Sequence, residues 1–361
     1  MAVRLAFCGL DEVDALTAFL RDHWDREHVL VTDRRVLDWQ HRDEARGRYD
    51  VLMAWDGDEV VGILGFIPTS RYDPDLADGR ETVWLTTWRA RDGAAPGLGL
   101  LLLRGLRERL RPTWTGTVGL RPETRGIYDR LGFRTGALTR MILLDDARDE
   151  RHLAAVPVPP PSAVRAAWRT HAPAATEPVT AAALAALAER HRIAAGAART
   201  APARTAASVR RRYLEHPFHV YRVDLVPATD RHDGALVVTR TVGHAGATAV
   251  RVVDLIGDPD AAASTGPLLR GLLEATGAEW LDASVTSDVV APLRAAGLVP
   301  VAEVPGLVPA AYFAPFELRD RTVLWALDGP GDRPHLVRGD ADQDRPNPPP
   351  PASAEPAAVT S

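Results

Sequence analysis

The sequence predicts an α+β protein with two tandem domains, each built on a mixed parallel and antiparallel sheet, the second a degenerate copy of the first. The chain has 361 residues, which suits about two domains with cores of their own. Strand-like and helix-like runs alternate in both halves, and two motifs recur at a nearly common offset. A proline- and alanine-rich stretch divides the halves, so we expect domains at 1–150 and 179–345, a linker at 151–178 and a disordered proline-rich tail at 346–361.

The composition excludes several classes of protein. The 43 basic residues are all Arg and face 48 acidic residues, so the net charge of −5 gives no basic excess for nucleic acid. The single cysteine, Cys8, excludes an intramolecular disulfide framework and a structural thiolate zinc site. No run approaches the roughly 20 apolar residues of a membrane span, and acidic residues replace a signal-peptide core. We expect a cytoplasmic bacterial protein, monomer or homodimer, with no nucleic-acid partner.

The first half opens with a predicted helix, because apolar side chains recur at helical spacing behind Asp11, a candidate N-cap. These side chains are Val13, Leu16, Phe19, Leu20 and Trp24. Two strands follow at 49–55 and 59–67, and Asp56-Gly57-Asp58 between them is typical of a hairpin. The later elements are predicted as strand 82–88, helix 97–110, strand 115–120, helix 127–131 and strand 138–144.

Two motifs of the first half recur in the second. The segment Leu102-Leu103-Arg104-Gly105-Leu106 returns as Leu268-Leu269-Arg270-Gly271-Leu272, at an offset of 166 residues. The pattern of Asp129-Arg130-Leu131-Gly132-Phe133 returns at 294–298, at an offset of 165 residues. Two matches at nearly one offset, each in the same place within a helix, strand, helix order, indicate a tandem duplication.

Glycines interrupt the chain between the third predicted strand and the leucine-rich helix, in Ala95-Pro96-Gly97-Leu98-Gly99. A strand that passes through glycines into a helix N-terminus presents unpaired N–H groups, and these, with the helix dipole, favour a diphosphate. Glycine also lets the backbone approach the phosphates closely. The alternative, that the two glycines serve only a tight turn, stays open.

A second motif, Gly126-Ile127-Tyr128-Asp129-Arg130-Leu131-Gly132-Phe133, lies one strand after that helix. The order of elements and the two motifs together resemble the GNAT N-acyltransferase superfamily, whose domains carry an acyl-CoA pyrophosphate loop and then a helix of the form Tyr-x-x-x-Gly-Phe. The resemblance covers most of residues 1–145 and, more faintly, 180–300. It implies transfer of an acyl group, most simply acetyl, from acyl-CoA to an amine, without a metal.

The chain also resembles a bacterial subgroup found with surface-polysaccharide and amino-sugar genes. The similar segments are Phe19–Gln40, Gly62–Pro68 and Asp342–Asn347. This resemblance implies a small polar acceptor such as a nucleotide-linked amino sugar. The candidate substrate-binding residues that it implies are His23, Trp24, Trp39 and Gln40.

On the donor side, the resemblance implies a set of contacts to acyl-CoA. These are Thr87, Trp88, Arg91, Gly97, Leu98, Gly99 and Leu100. Ala94 departs from the family pattern, because it occupies the position where the loop has Gln or Arg, and Arg91 is the candidate to replace that side chain electrostatically. Trp88 has a second interpretation, since Trp84 and Trp88 lie an even number of residues apart and would share a buried strand face.

The resemblance implies that Tyr128 interacts with the sulfur of the leaving thiol. A phenol titrates at about 10 and a thiol at about 8.5, so we expect Tyr128 to donate a hydrogen bond rather than to transfer its proton fully. Its structural alternative is a core aromatic on a short amphipathic helix. The base is open: a histidine titrating at about 6.5 suits proton removal and makes His28 a candidate, Glu81 is the other, and a weakly basic amine needs only water.

The second half lacks this machinery at the aligned positions. Leu293 aligns with Tyr128, and Ser264-Thr265-Gly266-Pro267 replaces the Gly-x-Gly loop. We therefore expect this half to complete the acceptor cleft or to support the fold. Its most distinctive segment, His216–Tyr221, suits either a sugar contact or, more simply, a structural turn into a strand.

Other functions find less support. Asp340, Asp342 and Asp344 alternate as in a calcium loop, but Arg345 replaces the turn glycine and no Glu follows at the twelfth position. We predict no metal there, and a serine hydrolase is unsupported without a G-x-S-x-G elbow. The main alternative is a module that binds CoA or a related nucleotide without turnover, which Ala94 favours. An aminoacyl-tRNA-dependent transferase would need a basic surface, and the net charge argues against one.

Overall fold

The computed structural model describes residues 3–148, 150–157, 161–198, 200–331 and 333–342, and the predicted tail at 346–361 lies outside them. The helices, numbered along the chain, are α1 (Val13–His23), α2 (Val29–Thr32), α3 (Arg34–His41), α4 (Leu98–Leu110), α5 (Pro122–Arg130), α6 (Ser162–Trp168), α7 (Leu184–Arg190), α8 (Ile193–Ala197), α9 (Ala206–Val209), α10 (Gly266–Thr276) and α11 (Ser287–Ala295). The strands are β1 (Arg4–Gly9), β2 (Arg42–Asp43), β3 (Arg48–Asp56), β4 (Glu59–Pro68), β5 (Thr82–Ala90), β6 (Trp114–Leu120), β7 (Arg134–Ala137), β8 (Thr139–Leu144), β9 (Ala154–Ala155), β10 (Arg222–Val226), β11 (Ala235–His244), β12 (Ala247–Gly257), β13 (Trp280–Val285), β14 (Val299–Pro300), β15 (Val308–Pro309), β16 (Tyr312–Phe313), β17 (Phe316–Glu317) and β18 (Leu324–Asp328).

The first sheet has the strand order β1-β3-β4-β5-β6-β18-β7, with the short β2 beside part of β3. β5 and β6 pair in parallel and are joined through α4, while their other neighbours in this order are antiparallel. The predicted hairpin joins β3 and β4, and Gly57 at its turn has φ +61°, a conformation that glycine adopts freely. These strands and α4 confirm the predicted core of the first half.

The second sheet has the order β10-β11-β12-β13-β8-β14. Its parallel pair, β12 and β13, is joined through α10, and α11 follows β13 as α5 follows β6. The recurring leucine-rich motif lies in α4 and α10, and the second motif lies at the ends of α5 and α11. The predicted α+β class with two mixed sheets is therefore confirmed.

The two sheets exchange one strand each. β8 leaves the first half and lies between β13 and β14, where Leu143 pairs with Leu281. β18 returns from the other end of the chain and lies between β6 and β7, where Ala326 pairs with Thr117 on one side and Thr135 on the other. Each sheet thus contains chain from both sides of residue 150, so the predicted domain ranges do not coincide with the sheets.

Helices cover both faces of the first sheet. α1, α2 and α3 pack on one face, with Leu16 and Met53 in its core, and we call this the α1 face. α4 and α5 pack on the other, with Leu52 and Leu102 in its core, and we call this the α4 face. Leu52 and Met53 are neighbours in β3 and point to opposite faces, as strand alternation requires.

Several local predictions are wrong. β1 precedes α1, so a strand and not a helix opens the chain. Glu12, not Asp11, stands at the N-cap of α1, and its carboxylate accepts a hydrogen bond from the Gly9 N–H at 2.8 Å. The stretch predicted as a linker contains β9 and α6, because Val164 and Trp168 of α6 are buried in the core of the second half.

Candidate active site

A gap opens between β5 and β6. The two strands pair from Thr82–Trp114 to Trp84–Gly116, and beyond this point they no longer pair with each other. β5 continues along β4, while β6 continues along β18. The opening, here called the first gap, therefore lies at the carboxyl ends of two parallel strands, where open α/β sheets commonly bind ligands.

A β-bulge shapes one edge of the first gap. Thr86 and Thr87 both lie opposite the single residue Gly65 of β4. The Thr86 hydroxyl oxygen is buried and has no hydrogen-bond partner among the described residues. A Cβ on Gly65 would lie 2.8 Å from that oxygen, which explains the glycine. A buried oxygen without a partner is unfavourable until a ligand supplies one.

The bulge also reverses the side-chain alternation of β5. Trp84 packs in a cluster with Leu327, whereas Trp88 joins the core of the α4 face. The prediction that the two tryptophans share one strand face is therefore wrong, because it assumes an unbroken period of two.

A cavity of about 680 Å³, here called the large cavity, occupies the first gap. Its walls come from both faces of the sheet, with Tyr128 on the α4 face and Trp24 at the end of α1, so the cavity crosses the sheet. The predicted site residues that line it are Tyr128, His28, Thr87, Trp88, His23 and Trp24. The fold thus brings together residues that lie as far apart in sequence as α1 and α5.

Tyr128 is held by aromatic contacts. Its ring packs edge-on against Trp88, with 5.7 Å between centroids, and against Phe133 at 5.1 Å. Burial raises the pKa of the Tyr128 phenol above its ordinary value, so the hydroxyl stays protonated. Gly99 lies behind the indole, since a Cβ there would come within 3.2 Å of Trp88 Nε1. In the described part of the chain, the Tyr128 hydroxyl has no hydrogen-bond partner.

α4 begins on the α4 face beside Trp88. Gly97 is its N-cap with φ +84°, a conformation that favours glycine. The N–H groups of Gly99 and Leu100 belong to the first turn, where the helix offers them no acceptor. Leu98 and Ala94 pack into the apolar core instead, so the position of the family's polar loop side chain holds an apolar contact.

The predicted histidines lie at the α1-face end of the large cavity. Arg89 Nε donates to the backbone oxygen of His23 at 2.8 Å. His28 Nδ1 accepts a hydrogen bond from the Leu30 N–H at 3.4 Å and so caps α2. The His28 ring meets Trp24 edge-on, with 6.2 Å between centroids. The cap therefore engages Nδ1 of His28 as an acceptor.

Glu81 and Arg91 are among the predicted site residues that do not line the large cavity. Glu81 precedes β5, and seven residues of extended chain put it roughly 20 Å from Trp88 along the strand. Its carboxylate accepts a hydrogen bond from the Ser70 hydroxyl. Arg91 forms an ion pair with Glu59. This placement does not suit Glu81 as a base, and Arg91 already has an acidic partner.

Trp39 and Gln40 line a second, smaller cavity between the two halves, of about 60 Å³. Trp39 meets His216 edge-on at 5.4 Å. Burial, with Arg212 nearby, lowers the pKa of His216 to about 4, and burial beside His216 lowers that of His219 to about 3. The two cavities share one wall residue, Asp342.

The corresponding gap in the second sheet is filled by the chain itself. β12 and β13 stop pairing after Val252–Ala283, and residues 335–342, here called the inserted segment, enter beyond that pair. The N–H of Gly339 donates to a carbonyl of β12 at 2.8 Å, and that of Arg338 to a carbonyl of β13 at 3.0 Å. The inserted segment thus bonds to both edges of this gap and closes it.

The second half differs from the first in one further way. Leu293, which aligns with Tyr128, is buried in an apolar core and offers no hydroxyl.

Asp342, the last residue of the inserted segment as defined here, lies in the wall of the large cavity. Ion pairing of Arg204 with Asp340 at 2.6 Å, and donation by Arg212 to Ala341 at 3.0 Å, fix this end of the segment.

Several wall residues of the large cavity are not predicted from the sequence, among them Thr86, Arg121, Arg321 and Asp342. Arg121 directly follows β6, and its position after a strand of a parallel pair is a signal that sequence reasoning could have used. Arg321 and Asp342 come from the other end of the chain, so no local signal marks them.

Two further observations concern the described residues. They contain no group of three or more His, Cys, Asp or Glu side chains arranged to hold a metal ion. None of their helices is both long enough and apolar enough to span a bilayer.

Comparison with solved structures identifies the fold. A GCN5-related N-acetyltransferase from Kribbella flavida is 18% identical, with 90% of this chain and 71% of that chain covered and a TM-score of 0.52. A GCN5-related N-acetyltransferase from Anabaena variabilis is 11% identical, with 90% and 72% covered and a TM-score of 0.50. No family model and no curated protein matches the chain. The chain therefore has the fold of the GCN5-related N-acetyltransferases.

Proposed function

We propose that this protein is an N-acyltransferase that moves an acyl group, most simply acetyl, from acyl-CoA to the amine of a small polar acceptor. One observation carries the proposal. The large cavity crosses the first sheet at the first gap and has the Tyr128 hydroxyl in its wall. A channel of this kind admits a thioester from one face and an amine from the other.

The residues of the α4 face suit a CoA thioester. The free N–H groups in the first turn of α4, with the helix dipole, favour the diphosphate. The unpartnered Thr86 oxygen provides a hydrogen-bond acceptor or donor for the amide-bearing arm within the gap. Trp88 lies between Gly99 and Tyr128 and would form one side of the slot for that arm.

In the reaction, the neutral amine nitrogen attacks the thioester carbonyl, the C–N bond forms and the C–S bond breaks. The proton that the nitrogen loses ends on the departing sulfur, so the products are an amide and the free thiol. Tyr128 donates a hydrogen bond to the sulfur as negative charge develops on it. The raised pKa of Tyr128 makes it a poorer acid than a thiol, so it stabilises the leaving thiolate rather than surrendering its proton for good. An N–H left out of the ladder by the Thr86–Thr87 bulge is the candidate oxyanion donor.

The acceptor would approach from the α1 face, past His23, Trp24 and His28. Proton removal has two candidate routes: the His28 side chain, or water that enters the cavity. A nucleotide-linked amino sugar is the acceptor type that we propose first, because His23, Trp24 and His28 at this end are polar or aromatic side chains. Trp39 and Gln40 in the small cavity would then contact a more distant part of the acceptor.

A second candidate function is a module that binds acyl-CoA without turnover. Two observations favour it: Ala94 supplies no polar side chain to the loop, and the Trp88 indole lies between the start of α4 and Tyr128. Release of free thiol from acetyl-CoA separates this candidate from an enzyme.

The experiment is a thiol-release assay with acetyl-CoA and a panel of amines, followed by mass measurement of the acylated product. We expect amine-dependent thiol release and an acceptor mass increased by one acetyl group. Binding of acetyl-CoA without amine-dependent release across the panel would favour the binding module. Absence of acetyl-CoA binding would refute both functions.

A further inference from the structure

A row of charged side chains crosses one face of the second sheet, outside the candidate active site. Arg251 of β12 lies in register with Asp282 of β13, and Arg140 of β8 lies in register with Ser284, two residues further along β13. Residues in register, and residues two apart in one strand, point to the same face of a sheet. Arg140, Arg251 and Asp282 therefore share a face, and none of their side chains is more than 8% exposed.

Arg338 brings a fourth charge to this row from the inserted segment. Its N–H donates to the Ser284 carbonyl at 3.0 Å, so its backbone lies against β13 beside the residue that Arg140 faces. Arg338 is buried as well, with 7% of the residue exposed. We call Arg140, Arg251 and Arg338 the arginine cluster, and Asp282 is the carboxylate among these four side chains.

The Arg338 charge acts on the other members of the row. Burial lowers the pKa of Arg251 well below its ordinary value, and the Arg338 charge lowers it further. Burial opposes ionisation of Asp282, yet the arginine cluster, with Arg251 foremost, holds the pKa of that carboxyl below its ordinary value. The four charges therefore belong to one electrostatic group.

Two neighbouring charges are of opposite sign and leave the balance of the row unchanged. Arg240 of β11 lies in register with Arg251 and adds a positive charge, and the exposed Asp320 adds a negative charge near Arg140. Within the buried row itself, three guanidinium groups accompany one carboxylate. The row thus carries an excess of two positive charges.

The guanidinium groups of the arginine cluster differ in their partners. Arg140 donates to the Asp282 carboxylate and to backbone carbonyls of residues 309 and 310, and Arg251 donates to carbonyls of residues 310 and 311. The Arg338 side chain makes no hydrogen bond or ion pair with the described residues, and its Nε is buried. A buried charge without a partner is strongly unfavourable. Arg338 is therefore a buried cation that an anion would stabilise.

We propose that a small inorganic oxyanion, phosphate or sulfate, binds the Arg338 guanidinium and offsets the excess positive charge of the arginine cluster. A guanidinium group binds such an oxyanion through two parallel N–H donors, and a divalent anion matches an excess of two charges. The bound anion would hold the inserted segment against β13 and so stabilise the closed gap of the second sheet. This site is independent of acyl transfer, because Arg338 does not line the large cavity.

The test is thermal unfolding of the full chain in a buffer whose only anion is a bulky organic sulfonate, with sodium phosphate or sodium sulfate added at matched ionic strength. We expect the melting temperature to rise and then saturate, by on the order of 3 °C at a hundredfold excess over Kd. Sodium chloride controls for screening and should give a smaller rise without saturation. No saturable rise with either oxyanion, or an equal rise with chloride, would overturn the inference.

Variants separate an anion site from a packing role. Without oxyanion, Arg338→Gln should melt at or above the temperature of the unsubstituted protein, because the change relieves repulsion with Arg251, and with saturating phosphate it should melt below it. Arg338→Lys keeps the charge but not the fork, so half-saturation should need at least tenfold more phosphate. Arg294→Gln, which removes a surface ion pair with Glu303, is the matched control and should keep the full response. A fixed loss of stability in Arg338→Gln at every phosphate concentration would overturn the inference.

The first turn of α4 is the competing place for phosphate, since it also offers N–H donors to an anion. The same titration with Leu100→Glu distinguishes the two places, because the added charge lies in that turn. We expect Leu100→Glu to keep the saturable response and Arg338→Gln to lose it. The opposite result would place the anion at α4 and overturn the inference.

Discussion

Replacing Tyr128 with Phe isolates one hydroxyl. The ring contacts with Trp88 and Phe133 stay, since they involve the ring and not the oxygen. The hydroxyl has no partner among the described residues and its ring is almost wholly buried, with 3% of the residue exposed. Removing it therefore costs no internal hydrogen bond, and we expect the free energy of unfolding to stay the same or to rise slightly.

We expect the Tyr128→Phe variant to turn over more slowly. Removal of one hydrogen-bond donor from a developing anion costs about 2.7 kcal/mol or more, so kcat should fall on the order of 100-fold while acetyl-CoA affinity stays nearly unchanged. The raised pKa of Tyr128 adds a second expectation: the phenol should not ionise below pH 10, so activity should show no loss from Tyr128 ionisation up to that pH.

Thiol release under saturating acetyl-CoA measures kcat, and calorimetry measures affinity. Tyr49→Phe is the matched control, because its hydroxyl accepts from Arg34 at 2.7 Å and bonds to Asp38 outside the cavity. This control should lose about 1 kcal/mol of stability with kcat intact. Unchanged kcat in Tyr128→Phe, or an equal fall of kcat in both variants, would refute the role of Tyr128.

Three further predictions concern stability. Gly339→Ala should lower the melting temperature, since its methyl would lie 2.7 Å from a backbone oxygen of β12. Gly126→Ala, with open space at its Cβ in α5, should raise the melting temperature, and the reverse order would contradict the packing of the inserted segment. Because His216 and His219 have low pKa values in the folded protein, the unfolded chain binds more protons than the folded one as pH falls below about 6.5. The free energy of unfolding should therefore drop between pH 6.5 and 4, and it should drop less in a variant with both residues replaced by Gln. Equal drops in urea titrations of the two proteins would contradict this prediction. Residues 1–150 expressed alone should aggregate or lack a cooperative thermal transition, because β6 and β7 lose β18; a stable monomer would show that the strand exchange is dispensable.

Local signals explain what the sequence could predict. The β3–β4 hairpin follows from three turn residues between alternating runs, and α4 from a leucine-rich period after Gly97. The helix that contains Tyr128 can be predicted from its motif, because the motif consists of glycine and aromatic residues at a fixed spacing within eight residues. Each of these features depends on neighbours in the sequence, which is why it can be predicted without tertiary contacts.

Long-range pairing explains what the sequence could not predict. Leu138–Leu144 is predicted correctly as a strand, yet its partner β13 lies over 130 residues away, so its sheet could not be assigned. The bulge at Thr86 reverses the side-chain alternation of β5, but no residue type in the sequence marks its place. No local signal places Asp342 in the wall of the large cavity, because its position depends on the inserted segment filling the gap between β12 and β13.

The most direct test of the account is a calorimetric titration of the full chain with acetyl-CoA, together with Leu100→Glu and Leu131→Glu. Both leucines are exposed, by 45% and 40%, but Leu100 lies in the first turn of α4 and Leu131 follows α5. The account predicts one bound acetyl-CoA per chain, since the inserted segment closes the gap between β12 and β13. Binding should be lost in Leu100→Glu through charge repulsion and retained in Leu131→Glu. Two bound acetyl-CoA per chain, no binding at millimolar concentration, or equal behaviour of the two variants would contradict it.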